Sequence, residues 1–339
     1  MKILVTGSAG FIGGALVKRL IENSNDSSIT IVGIDNLSDY YDVSLKKARL
    51  EEIKKIAKEY PLVYYKFEEC DIANKEALDD LFELHNFDIV VHLAAQDSAR
   101  YSMNHPEPFL KSNIVGFANI LECCRHSSVF HLIYDATYFL DESNEYSQKP
   151  LTLYDVTKKS DELLAYSYAK LFNLTVTGLY LSTVYGPYGR PDMAYYKFAK
   201  KFTNDETIGV YNHGACLRDY VYIDDVTRAI EKVVNKLPDI SRSNKPRYNL
   251  YSIGSGVQTN LLDFVHILEK ELVAQGLLPK NFNFKSHTKL VDIQPGDVAE
   301  VVNNATPLQE AFDYTPEVSL EEGIKKFVEW YKNFKNKKD

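Results

Sequence analysis

Gly7-Ser8-Ala9-Gly10-Phe11-Ile12-Gly13 stands between an apolar run, Ile3-Leu4-Val5, and a segment of helical spacing over residues 11–23. The placement carries more than the glycines themselves. Gly7 permits a tight turn out of a strand, Gly10 lets the backbone approach a pyrophosphate, and Gly13 lets helix and strand pack closely. The helix start at Phe11 and Ile12 adds free N–H groups and partial positive charge. A second apolar run, Ile29 to Ile34, ends at Asp35-Asn36, about 20 residues past the turn, where an acidic side chain binds adenosine ribose hydroxyls. A carboxylate there repels the extra phosphate of NADP. The stretch therefore predicts a strand–turn–helix that holds NAD, with Gly7, Gly10, Phe11, Ile12, Gly13, Asp35 and Asn36 on the cofactor. A turn that merely packs is the plain alternative, and strand, helix and acid in register argue against it.

Beyond the turn, strand-like and helix-like stretches alternate. Strands are expected at 62–65, 89–93, 131–134 and 175–179, and helices at 44–59, 74–84, 106–125 and 154–172. Continuous apolar strands separated by helices mean a parallel sheet covered on both faces. The expected fold class is thus α/β, a Rossmann-type doubly wound parallel sheet with a smaller C-terminal α/β substrate lobe. The domain reading is 1–178 for the NAD-binding part and 179–339 for the lobe, with some chain crossing between them.

Composition excludes several partners. A net charge of −8 argues against broad nucleic-acid or anionic-membrane binding. No uninterrupted apolar span reaches membrane length, so a cytoplasmic protein is expected. Cys70, Cys123, Cys124 and Cys216 form no C-x-x-C pair, so no metal site and no disulfide framework are expected.

Far downstream, Tyr154 and Lys158 lie four residues apart at the start of a helix, on one face. With the G-x-x-G-x-x-G spacing, this pair resembles the extended short-chain dehydrogenase/reductase family of sugar-nucleotide enzymes. The chemistry implied needs a near-phenolate at neutral pH, whereas a free tyrosine titrates near ~10. Lowering that by roughly three units takes about 4 kcal/mol of charge stabilisation, which an ammonium and an oxidised nicotinamide would supply. The resemblance also places Asp71 and Ile72 beside the adenine, Leu93, Ala94 and Ala95 along the cofactor, and Asn113 near the nicotinamide. Tyr154 and Lys158 then serve both cofactor and catalysis, with Thr137 as the catalytic hydroxyl.

Within that family the chain is most similar to UDP-glucuronate 4-epimerases. The stretches that carry this are residues 35–46, Arg100-Tyr101-Ser102, residues 185–193, Tyr211-Asn212-His213-Gly214 and Gln294-Pro295-Gly296-Asp297-Val298. The resemblance implies a UDP-sugar substrate with Arg100 and Thr183 facing the sugar carboxylate and Arg190 and Arg218 gripping the diphosphate. Tyr211, Asn212 and Asp297 are implied on the substrate as well. Arginine suits both tasks because its planar fork donates two parallel hydrogen bonds to an oxyanion. The implied reaction takes the C4 proton to Tyr154 and the C4 hydride to NAD, turns the 4-keto sugar, and returns the hydride to its other face. A homodimer joined through 106–125 and 154–172 is also implied.

Residues 134–142, Tyr-Asp-Ala-Thr-Tyr-Phe-Leu-Asp-Glu, depart from the family's run of small hydroxyl residues. Thr137 keeps one hydroxyl, while Tyr138 and Phe139 replace donors that would help hold a carboxylate. Tyr180 stands where the family usually has arginine. Asp135, Asp141 and Glu142 are expected to be surface-loop charges. Three readings stay open: a glucuronate epimerase relying on Arg100 and Thr183, an epimerase for another UDP-sugar, and a nucleotide-binding protein without efficient turnover.

Overall fold

The computed structural model describes residues 1–24, 28–127, 129–137, 152–236, 246–294, 300 and 303–336. Its strands are β1 (Lys2–Thr6), β2 (Ile29–Asp35), β3 (Val63–Glu69), β4 (Ile89–His92), β5 (His131–Asp135) and β6 (Val176–Leu181). They continue as β7 (Thr183–Tyr185), β8 (Ile208–Val210), β9 (Leu217–Tyr222), β10 (Tyr248–Ile253), β11 (Gln258–Asn260) and β12 (Thr288–Leu290). Seven form one sheet in the order β10-β6-β5-β4-β1-β2-β3. Every neighbouring pair in it is parallel. The order reverses between β1 and β4, the switch point where such sheets leave a crevice for a ligand.

Alternation along the strands explains the double winding. Ile3 and Val5 belong to one buried cluster with Leu16, Val17 and Leu20 of the helix Phe11–Glu22. Leu4, between them, belongs to the other cluster, with Leu78 and Phe82 of the helix Lys75–His85 and with Leu121. Side chains of opposite parity are therefore both buried, which is why the strands read as unbroken apolar runs. Most strands and helices fall where the sequence places them. β3 instead runs four residues beyond its expected end, through Lys66, Phe67, Glu68 and Glu69. As the edge strand it has one partner and meets solvent, so charged residues fit there and hide it from an apolar search.

The expected helix over 106–125 is present with a modification. Leu110–Gly116 is wound as a π-helix between the helical turns Pro106–Phe109 and Phe117–His126. After β6 the chain builds a three-stranded sheet, β11-β9-β7, and a two-stranded one, β12-β8. β10 nevertheless returns to the large sheet beside β6. The helix Ile223–Asn235 packs onto Phe11–Glu22, and Arg19 donates to Glu231 at 2.5 Å across that contact.

Candidate active site

At the turn, Gly7 has φ +69°, and the Gly10 N–H donates to the Gly7 carbonyl at 2.9 Å. A Cβ on Gly13 would sit 2.2 Å from that same carbonyl, so helix and turn can approach only without a side chain there. The helix Phe11–Glu22 starts at Gly10 with no side-chain cap, leaving its first N–H groups free for an anion.

Around this turn, a cavity of about 720 Å³ lies where the strands end. Its wall takes Gly7 and Gly10–Gly13 after β1, Asp35 and Asn36 at β2, and Cys70, Asp71 and Ile72 after β3. Leu93 to Asp97 after β4, Asp135 at β5, and Leu181, Ser182 and Thr183 at the end of β6 continue it. Tyr154 and Arg190 also line the cavity. Thr6 fixes the β4 exit by accepting from Leu93 N and Ala94 N at 3.2 and 3.0 Å while bonding His92 Nδ1 at 2.8 Å.

Two lysines unforeseen in the sequence neutralise the acids on the nucleotide side. Lys46 Nζ is 3.2 Å from Asp35 Oδ1, and both side chains are buried. Asp35 Oδ1 also accepts from Leu37 N at 2.8 Å, which fixes the carboxylate at the cavity edge. Lys111 donates to Asp71 at 2.8 Å. Partial burial opposes the Asp71 charge, and Lys111 with the Ala73 N–H outweighs it, holding the carboxyl below its usual range.

Tyr154 sits in the first turn of the helix Leu153–Phe172, capped by Thr152 and Asp155 in a reciprocal box. Its N–H donates to Ser102 Oγ at 3.2 Å, and its ring meets Phe109 edge-on. Burial pushes the phenol well above its ordinary value, Asp97 and Asp135 push it further, and Arg190 pulls it back. The chain's own charges thus favour the neutral phenol.

Three residues expected on the cofactor or in catalysis stand outside the wall. Lys158 is buried behind Asp135, donating to the Asp135 carbonyl and lying 3.6 Å from Asp135 Oδ2 and 3.4 Å from Asp161 Oδ2. Asn113, in the π-helical turn, accepts from Gln96 N at 2.8 Å and donates to Gln96 O at 3.0 Å and Thr157 Oγ1 at 2.9 Å. Thr157 in turn donates to the Tyr154 carbonyl, so Asn113 is a strut from the cavity wall to the helix that carries Tyr154. Thr137 is half-buried just past β5 and does not line the cavity.

Among the substrate-side residues, Arg190 is gripped by Asp97 and by both oxygens of Asp192, at 3.0 and 2.9 Å. Arg100 lies over the Tyr211 ring, 4.2 Å from its centroid, which unites two expected residues away from the wall of strand ends. Asn212 has φ +50° and donates to Ala215 O at 2.7 Å. Arg218 is on β9, donating to Leu217 O, opposite Thr259. Asp297, Tyr138, Phe139, Asp141 and Glu142 lie outside the described residues. Asp135 corrects the expectation of a surface-loop charge: it ends β5, lines the cavity and pairs with Lys158. Its place was readable from β5 ending at the same depth as β4, but its partner is 23 residues away in the chain.

Comparison with known proteins agrees with this geometry. The family model described as "NAD dependent epimerase/dehydratase family" matches residues 3–254. The chain belongs to that family. It is accordingly an NAD-dependent enzyme of the epimerase/dehydratase class. It is 41% identical to Protein CapI of Staphylococcus aureus over 99% of this chain and all of that one. It is 33% identical to UDP-glucuronate 4-epimerase 4 of Arabidopsis thaliana, over 98% of this chain and 75% of the relative. The crystal structure of UDP-glucuronic acid 4-epimerase from Bacillus cereus, in complex with UDP-glucuronic acid and NAD, superposes with a TM-score of 0.82. That pair is 29% identical, over 98% of this chain and all of the other. The uncapped helix start, the cramped glycines and the buried Asp35 fit NAD. No helix among the described residues is long and apolar enough to cross a membrane.

Proposed function

We propose that this enzyme is a nucleotide-sugar 4-epimerase that interconverts UDP-glucuronate and UDP-galacturonate. The observation that carries the reading is Tyr154 on the wall of the same cavity as the Gly7–Gly13 turn, with Thr183 and Arg190 also lining it. Similarity to UDP-glucuronate 4-epimerases over nearly the whole chain supports the substrate.

In this reading Tyr154 Oη takes the proton of the C4 hydroxyl and later returns it to the alkoxide oxygen. NAD, held by Gly7–Gly13, Asp35, Asn36, Asp71, Ile72 and Leu93–Ala95, supplies a reversible hydride acceptor for C4. Lys158 supplies positive charge behind Tyr154, and Thr137 donates to the C4 oxygen. Because Asp97 and Asp135 favour the neutral phenol, Tyr154 becomes a competent base only with added positive charge beside it. Arg190 and Arg218 would bind the diphosphate, with Arg190 exchanging Asp97 or Asp192 for phosphate oxygens. Arg100, Thr183, Tyr211, Asn212 and Asp297 complete the sugar side.

A second reading has its own observation. The wall near Tyr154 carries Asp97 and Asp135, and Arg190 on it and Lys158 behind it are already engaged by carboxylates. Such a surface repels a sugar carboxylate and suits a neutral UDP-hexose. The purified protein incubated with UDP-glucuronate and, separately, UDP-glucose decides: UDP-galacturonate without added cofactor is expected. UDP-galactose alone would establish the second reading, and UDP and NAD binding without turnover would make the chain a nucleotide-binding protein.

We also propose a homodimer. Leu110 and Val115 beside Val156, Leu163, Tyr166 and Leu171 expose apolar surface on neighbouring helices, and a second copy would cover it. Sedimentation at micromolar concentration should give twice the chain mass; a monomer would remove the proposal.

A further inference from the structure

Lys158 is one ammonium between two carboxylates in a closed space. Its donors are directed at the Asp135 carbonyl, Asp135 Oδ2 and Asp161 Oδ2. The two acids differ in surroundings. The Asp135 side chain is 24% exposed at the cavity wall, whereas that of Asp161 is 4% exposed. Among the described residues, Asp161 Oδ1 has no hydrogen-bond partner. An ionised carboxylate with one sealed, unpartnered oxygen has lost its hydration without replacement, which is costly. A proton on Asp161 removes that cost and leaves a neutral cluster, Lys158 ammonium with Asp135 carboxylate.

We propose that Asp161 is a positioning residue that keeps a proton up to neutral pH, releases it above, and so, through Lys158 and Asp135, sets the charge felt by Tyr154. Burial raises the Asp161 carboxyl, Lys158 lowers it and Asp135 raises it, leaving it at about 7. The groups facing the cluster are few. From β5 come Tyr134, whose hydroxyl is bonded to Tyr248 of β10, and Asp135, whose carboxyl burial raises and on which Asp97 and Arg190 act with opposite sign from the cavity wall. From β4 comes His92, kept neutral by burial and by Lys158. Glu162 on the same helix bears on Tyr134, not on Asp161. As pH rises, Asp161 loses its proton, and the cluster passes from neutral to a net charge of −1. That added charge, next to the carboxylate that already opposes Tyr154 ionisation, makes the phenolate harder to form.

Infrared difference spectra of the NAD-loaded protein between pH 6 and 8.5 test the proton directly. A protonated-carboxyl stretch present at the lower pH and lost at the higher is expected, and it should be missing in Asp161→Asn. No such band in the wild type, or its persistence in Asp161→Asn, overturns the assignment. Should Asp161→Asn not fold, Asp161→Glu must move the midpoint of the wild-type band; an unmoved midpoint has the same overturning force. The coupling to Tyr154 rests on the proposed 4-epimerase reading and is tested by rate. The ratio of Asp161→Asn to wild-type kcat should rise about threefold from pH 6 to 8.5, and a constant ratio overturns the coupling. Failure of the 4-epimerase reading would show separately, as no wild-type turnover of any UDP-sugar, with the infrared result still deciding the proton.

Discussion

Two groups of residues share one cavity and treat charge in opposite ways. On the nucleotide side Asp35 and Asp71 each have a cation, Lys46 and Lys111, and the backbone contributes free N–H groups. Around Tyr154 the acids outnumber the cations: Asp97, Asp135, Asp161 and Asp192 share Arg190 and Lys158. The first arrangement is ready to receive an anion as it stands. The second is short of positive charge, and in the proposed reading Tyr154 acts as a base there only once positive charge arrives. A binding surface and a reacting surface are thus distinguished within one pocket by charge balance rather than by residue type.

The largest effect should come from the reacting side. Tyr154→Phe is expected to lower kcat by about 10³-fold while retaining NAD, as bound-cofactor absorbance would report. An active variant would remove Tyr154 from the chemistry. On the binding side, Gly13→Val drives a side chain into the Gly7 carbonyl. It should cost about 2–3 kcal/mol of stability and abolish NAD retention, read by melting with and without added cofactor. A variant that still melts higher with NAD would show that the turn can yield.

The acid excess also predicts how stability varies with pH. Asp161 is raised in the folded chain, so the folded state binds the extra proton between about pH 4 and 7. The stabilisation from that proton is complete below the unfolded value and is lost as pH rises through the folded one. Asp161→Asn should therefore gain on wild type across that window, by on the order of 2 kcal/mol, in denaturant titrations at pH 5 and 8. A constant difference would leave the reacting side without its stored proton. The smallest effect belongs to Lys111→Met, because Lys111 is largely exposed. NAD affinity should fall less than about threefold, measured by fluorescence titration, and a tenfold loss would mean the nucleotide side depends on that cation far more than exposure suggests.

The same contrast governs what the sequence discloses. The Gly7–Gly13 turn and Asp35 are legible because a strand, a turn and a helix start are local, and spacing fixes them. The sheet is legible for the same reason, apart from the charged end of β3 at one edge and β10 at the other, whose residues the sequence assigns to the lobe. Lys158 and Asp161 could have been paired in advance, being three apart on one helix face. Asp135 could not, since its meeting with Lys158 depends on β5 and the helix Leu153–Phe172 docking side by side. Asp97 with Arg190 joins positions 93 residues apart, and no periodicity records such a contact. Asn113 was legible as a polar helix position, but its role as a strut depends on the π-helical winding around it.

That winding has a consequence for how the chain tolerates length changes. A π-helical turn accommodates one residue more than an α-helical turn. Deleting a single residue from Leu110–Gly116 would let the segment relax into ordinary helix and keep the segment continuous. Because the extra residue is what widens the turn, residues on either side of the deletion would keep nearly their faces, while those within it, Asn113 among them, would be re-aimed, and Asn113 could not reach Gln96 and Thr157 together. The chain would retain its helix count and lose the brace on Tyr154. This stretch is thus a place where a one-residue deletion, silent in the fold, would be loud in the chemistry.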